Sequence, residues 1–227
     1  MNLVSLDDKY IEQLRIEATK RGLYLEFGDS GTKPEHVEKM LRVAKKLNSS
    51  VFRTVIHIDR YCDTPIWQQI EEIINELREV VDLAKSYNIR IALENHQVEK
   101  SEELKAIIDR INSPYLGICL DTGNSVSVLE NPLYTVATLA PYTFTVHLKD
   151  VKIVSTHFGA LIEHGVPLGE GIVDIPSVLG IIKKKSPNPN LNIENPSTEK
   201  STIEESLARE DEVVKHSVDY LKRVLAC

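Results

Sequence analysis

Two observations predict an α/β fold in which βα units repeat around a parallel sheet. Short apolar runs alternate with segments of helical period along the 227 residues. Four of those runs also stop on a residue that can bind a metal. Ile89–Leu93 runs into Glu94, Leu116–Leu120 into Asp121, Thr143–Val146 into His147 and Leu191–Ile193 into Glu194. A buried parallel strand reads as a short, nearly continuous apolar run. In a parallel α/β barrel the active site forms at the C-terminal ends of the strands.

The elements follow in order. A first helix spans Asp7 to Lys20, with Ile11, Leu14 and Ala18 on one face, and Gly22 ends it. Leu23 to Phe27 is the first strand. Pro34 opens a helix through Leu47 that turns Val37, Leu41 and Ala44 inward. Val51 to Ile58 is the second strand, and Thr64-Pro65 starts a long helix to Tyr87. Helices follow at Glu102–Ile111, Pro132–Leu139, Ile175–Lys184 and Ile203–Leu225. The strands near 23, 51, 89, 116, 143 and 191 make six. Lys183 to Asn190 is polar, carries two prolines, and reads as a turn. Val151 to Val173 has four glycines and no strong period, and is expected as a long lid-like loop over the His147 strand end.

Composition narrows the function classes. Hydrophobic residues are 42% and charged residues 27%, ordinary for a soluble globular domain. No stretch approaches the roughly 18–20 apolar residues of a membrane span. Residues 1–8 lack a secretory signal. The net charge of −7 argues against general polyanion binding. Cys62, Cys119 and Cys227 form no CxxC pair, so a reducing cytoplasm is expected, with Cys119 as a small core residue.

Five motifs then appear in order: IALENH (91–96), CLDTGN (119–124), HLKD (147–150), PLGEGIVD (167–174) and NIEN (192–195). With them the chain resembles the sugar phosphate isomerase/epimerase family of xylose isomerase-like TIM barrels. The resemblance implies that Glu94, Asp121, His147 and Glu194 hold one divalent cation, and that Glu94 and Glu194 are the catalytic acid/base pair. It implies an enzyme that transfers a proton alpha to a carbonyl of a sugar or sugar phosphate through an enediolate. Asn124 stands where epimerases of the family often carry a histidine; it can bond a hydroxyl but not shuttle a proton. Glu94 matches the family's fifth strand, which leaves two strands before it. The expectation is therefore a single domain, 1–227, shaped as a barrel of about six strands that lacks the first two βα units. Its sheet edges would be open and available for homo-oligomer pairing.

Carboxylates and imidazole suit Mn²⁺, Mg²⁺ or Co²⁺, with Zn²⁺ as a further option. A metal at the carbonyl would stabilise the enolate while one carboxylate removes a proton and a second returns it. Further candidates for substrate contact are His57, His96, Asn124 and Glu170. Asp150 could orient His147 or form a surface pair with Lys149. Trp67 could wall a sugar site, with core packing or helix docking as the plainer reading, and His157 and Glu163 are loop residues within reach of a ligand. Each ligand also has a plainer reading: Glu94 pairing with Arg90, Asp121 forming an Asx-turn, His147 as a satisfied barrel histidine, Glu194 as a solvated loop residue. Two other functions compete. One is a non-catalytic barrel that binds metal or sugar, or dimerises. The other is an apurinic-site endonuclease, disfavoured by Asn124, the few histidines and the acidic charge. No nucleic-acid or membrane partner is expected; the expected partner is a small sugar.

Overall fold

The computed structural model describes residues 3–186, 188–196 and 199–226. The chain runs α1 (Asp8–Lys20), β1 (Phe27–Ser30), α2 (Pro34–Lys46), β2 (Val51–Val55), α3 (Ile66–Tyr87), β3 (Arg90–Glu94), α4 (Ser101–Ile111), β4 (Leu116–Asp121), α5 (Pro132–Leu139), β5 (Thr143–Leu148), β6 (Asp150–Ser155), β7 (Leu161–Val166), α6 (Ile175–Lys185), β8 (Asn190–Ile193) and α7 (Ile203–Leu225). Six strands form one parallel sheet in the order β1-β2-β3-β4-β5-β8, and β6 and β7 form a separate antiparallel hairpin. This is an α/β architecture of six parallel strands joined through helices.

Local chemistry sets the helix ends. Asp7 caps α1 by accepting from the Lys9 and Tyr10 N–H groups, and Asp174 caps α6 at Ser177. Proline stands in the first turn of α2, α5 and α6. Asn88 and Asn112 close α3 and α4 in the left-handed region. The helices bury one stripe each: Val37, Leu41 and Ala44 from α2, and Ile70, Ile74 and Leu77 from α3.

Alternation along the strands sorts the two sheet faces. Phe52, Ile91, Leu93, Ile118, Leu120, Val146 and Leu148 face the helices and join the main core. Val51, Ala92 and Cys119 form a second, smaller layer on the other face, with Phe144 against it. Two residues further along the same face lie Arg53, Glu94 and Asp121. The inner wall is thus apolar below and charged above. Cys119 is a core residue as expected, Cys62 is exposed, and Cys227 lies outside the described residues.

One irregularity interrupts the sheet. Ile118 pairs with Thr143 but Cys119 pairs with Thr145, so Phe144 is a surplus residue in β5. Gly117 makes room for it; a Cβ there would collide with the Phe144 ring and the Tyr142 carbonyl.

The structure corrects four sequence expectations. The first strand is Phe27–Ser30, not Leu23–Phe27. Leu23 and Tyr24 are 61% and 60% exposed, and the pairing Phe27↔Phe52 sets the strand instead. The second strand ends at Val55, although Ile56 and Ile58 stay buried. Residues 151–173 are not a structureless loop: β6 and β7 form a hairpin closed at Thr156–Ala160. Trp67 does not pack in the core; it is 58% exposed. Of the polar turn before β8, residue 187 lies outside the described residues.

The sheet edges β1 and β8 each have one strand neighbour. A side-chain network spans the seam between them. Glu26 accepts from Thr145 Oγ1 (2.8 Å), from Asn192 Nδ2 (3.1 Å) and from Asn190 Nδ2. The Tyr24 hydroxyl donates to Asn192 Oδ1. Among the described residues no helix is long and apolar enough to cross a membrane.

Candidate functional site

Four strands adjacent in the sheet bring their ends together. Glu94 ends β3, Asp121 ends β4, His147 lies in β5 and Glu194 follows β8. The register sets Asp121 opposite His147. One potential ligand atom from each of the four lies within 4.8 Å of the others. Glu94 and Asp121 are buried, while the Glu194 side chain is 38% exposed.

The plainer reading of Asp121 is true of one of its oxygens. Oδ1 accepts from the Gly123 and Asn124 N–H groups, an Asx-turn at the strand end. Oδ2 is buried without a hydrogen-bond partner among the described residues. His147 Nδ1 is likewise buried with no hydrogen bond, although it lies 3.1 Å from Glu194 Oε2 and 3.9 Å from Glu94 Oε1. An orphaned carboxylate oxygen and an orphaned imidazole nitrogen aimed at two more carboxylates fit a divalent cation bound through oxygen and nitrogen. Cys119 lies within the same reach of Glu94 and His147, but burial raises its pKa well above the usual thiol range and keeps it a thiol.

Two cations complete the cluster, neither of them among the ligands and substrate contacts that the motifs imply. Arg53, inside β2, directs Nε at Glu94 Oε2 (3.1 Å) and donates from Nη1 to the Asp29 carbonyl. Glu94 therefore pairs with Arg53 rather than Arg90, which lies over the Phe144 ring. Lys149 donates from Nζ to Glu194 Oε1 and to Asn124 Oδ1, both at 3.0 Å, and lies 3.8 Å from Asp121 Oδ2. A charged residue interrupting the apolar run Val51–Val55 was the available signal for Arg53. Lys149 left no such signal beyond its neighbour His147.

These contacts set the electrostatics. Burial pushes Asp121 up to about 7 against the pull of Lys149. Burial opposes ionisation of Glu194 too, but His147 and Lys149 outweigh it and hold its carboxyl down at about 2. His147 and Lys149 are raised despite burial, His147 by Glu194, Glu94 and Asp121, and Lys149 by Asp121 and Glu194.

The other candidates fall in different places. Asn124 is fully buried inside the cluster, where its Nδ2 donates to Glu94 Oε1 (3.4 Å) and to the Asn95 carbonyl (3.2 Å). His57 and His96 line a cavity of about 910 Å³ at the strand ends, with Arg53, Arg60, Lys100 and Tyr61 among its other walls. Glu170 is not brought to the cluster; it is exposed and faces His216 of α7 at 3.6 Å. Glu163 accepts from the Ser127 hydroxyl. Asp150 is fully buried and accepts from the N–H groups of Val151, Gly169, Gly171 and Val173. It therefore pins the 167–174 loop, rather than orienting His147 or pairing with Lys149. A second cavity, of about 530 Å³, opens through the β8–β1 seam, with Tyr24, Glu26, Arg53, His147 and Asn192 among its walls.

Comparison with known proteins places the fold. A family described as xylose isomerase-like TIM barrel matches residues 3–224. The chain is 30% identical to 3-oxo-isoapionate decarboxylase of Pectobacterium atrosepticum over 96% of its own length and 78% of that protein. D-psicose 3-epimerase of Clostridium cellulolyticum, solved with D-tagatose, superposes with a TM-score of 0.75 at 15% identity, over 97% of this chain and 85% of that one. A xylose isomerase-like protein of Mycobacterium smegmatis, solved with magnesium, gives 0.65 at 18% identity, over 95% and 80%. At these identities the two structures bear on the fold alone.

Proposed function

The chain belongs to the xylose isomerase-like TIM-barrel family, and from that premise we propose that it is a metal-dependent enzyme that transfers a proton alpha to a carbonyl of a sugar or sugar phosphate, an isomerase or epimerase. The convergence of Glu94, Asp121, His147 and Glu194 within 4.8 Å carries this reading. These four would hold the divalent ion, Mn²⁺, Mg²⁺ or Co²⁺, with Zn²⁺ the further option. When bound, the ion supplies charge stabilisation for a carbonyl that becomes an enolate. Glu94 and Glu194 come from opposite sides of the cluster, as an acid/base pair requires. Arg53 and Asn124 fix the orientation of Glu94, and Lys149 fixes that of Glu194. His57 and His96, on the larger cavity, serve as hydrogen-bonding partners for substrate hydroxyls.

The relative from Pectobacterium supports a second reading, loss of CO₂ from a 3-oxo sugar acid. That reaction also passes through an enolate, and Lys100 on the wall of the larger cavity suits a carboxylate. One experiment tests both. Metal-loaded protein is assayed against ketoses, sugar phosphates and 3-oxo sugar acids, with solvent-proton exchange and CO₂ release as readouts. Glu94→Gln is expected to lower turnover by about 10²- to 10⁴-fold. Proton exchange without CO₂ supports the first reading and CO₂ release the second. Turnover unchanged by Glu94→Gln would remove this site from either.

A further inference from the structure

We infer that Lys149 is a built-in cation, seated by the turn that follows Asp121, and that its ammonium shares Glu194 and Asp121 with the divalent ion, so that the two compete. The inference rests on the metal-site reading above and adds to it a residue that tunes the site's affinity.

Three successive residues build the seat. The Thr122 hydroxyl accepts from the Lys149 N–H (2.9 Å) and donates to the Lys149 carbonyl (2.7 Å), fixing the backbone of Lys149 from both sides. Gly123 clears the path of the stem. A Cβ at Gly123 would stand 3.1 Å from Lys149 Cγ and 3.2 Å from Cδ, tighter than ordinary packing. Asn124, fully buried, then receives the ammonium on Oδ1. The Asx-turn of Asp121 holds Gly123 and Asn124 in place. One metal ligand therefore organises the seat, and the lysine in it faces that same carboxylate and Glu194.

Charge explains why such a seat is needed. Three carboxylates within reach of one another repel, and burial raises the cost. Arg53 offsets Glu94, and Lys149 offsets Glu194 and Asp121. The Lys149 side chain is only 19% exposed, so this is not a water-screened surface pair. A divalent ion coordinated by Glu194 and Asp121 takes over the same negative charge. It enters against a positive charge already present, and its affinity is lowered accordingly.

Lys149→Met keeps the stem over Gly123 and removes the charge. Metal-free wild type and variant are titrated with Mn²⁺ by calorimetry and melted with and without it. The variant is expected to bind Mn²⁺ about tenfold more tightly or better, and to melt lower than wild type without metal, with the gap narrowing at saturation. A purely structural role for Lys149 would weaken Mn²⁺ binding or leave it alone, and either result in a folded variant overturns the inference. Equal binding by both proteins sinks this inference and leaves the metal site standing; binding by neither sinks both. Should the variant not fold, peptide-resolved amine acylation of wild type decides. Mn²⁺ is expected to speed labelling of Lys149 severalfold, and an unchanged rate refutes the competition.

Discussion

The centre of the sheet and its seam hold the same rim in different ways. Strands β3, β4 and β5 are paired on both sides, and backbone register alone sets Asp121 beside His147. At the seam β8 and β1 share no ladder. There a single carboxylate, Glu26, gathers Thr145, Asn190 and Asn192. The clustered side chains reflect the difference. Asp121 is sealed by the fold, whereas the Glu194 side chain is 38% exposed and is held by charge, through Lys149 and His147. Regular pairing positions a side chain without further help. Where pairing stops, polar side chains take over that role and become points of failure.

Three substitutions would break or sharpen that contrast, in falling order of effect. The largest concerns Glu99, in the loop after β3. It is 2% exposed, Oε2 accepts from the His96 N–H, and Oε1 has no hydrogen-bond partner among the described residues. Burial pushes its carboxyl up to about 7 from an ordinary 4.5, against its backbone hydrogen bonds. Between those values the folded protein keeps a proton that the unfolded chain has released. The contribution of Glu99 to stability is therefore full below about pH 4.5 and is lost as pH rises to about 7, by roughly 3 kcal/mol in all. Glu99→Gln removes this slope, so urea midpoints at pH 5 and pH 8 are expected to draw together. An unchanged slope would show that the core tolerates the charge.

Next comes the seam. Glu26→Ala leaves two amides and a hydroxyl without their acceptor, and is expected to cost about 2 kcal/mol in urea unfolding. A loss below about 0.5 kcal/mol would mean that the seam does not depend on Glu26. The smallest effect lies outside both regions. Phe158, at the hairpin tip, is 99% exposed, and Phe158→Ser is expected to change stability by less than about 0.5 kcal/mol. A larger loss would show that the tip is covered in solution.

The same contrast governs what the sequence made legible. The central strands could be read because burial on both faces leaves unbroken apolar runs such as Ile89–Leu93, each stopping at a residue of the cluster. The first edge strand could not. Its residues Gly28, Asp29 and Ser30 carry no apolar signal, while the neighbouring Leu23 and Tyr24 carry one and face solvent. The β6–β7 hairpin escaped for a related reason: with most of its side chains exposed, no alternation of apolar and polar residues is imposed on it. Lys149 and Arg53 were missed as site members because their partners are far away in the chain or on other strands. Glu170 lies away from the cluster because the loop that Asp150 pins turns it towards α7, which order along the chain does not reveal.

Phe144 has a consequence out of proportion to its place. Counting on from Ile118 and Thr143 without a surplus residue would bring Val146 level with Asp121 and turn the imidazole outward among the helices. The extra residue advances the strand by one step, and Asp121 faces His147 instead. An aromatic ring three residues upstream, accommodated by a glycine on the neighbouring strand, thus decides whether the carboxylates look onto a nitrogen donor or onto an isopropyl group.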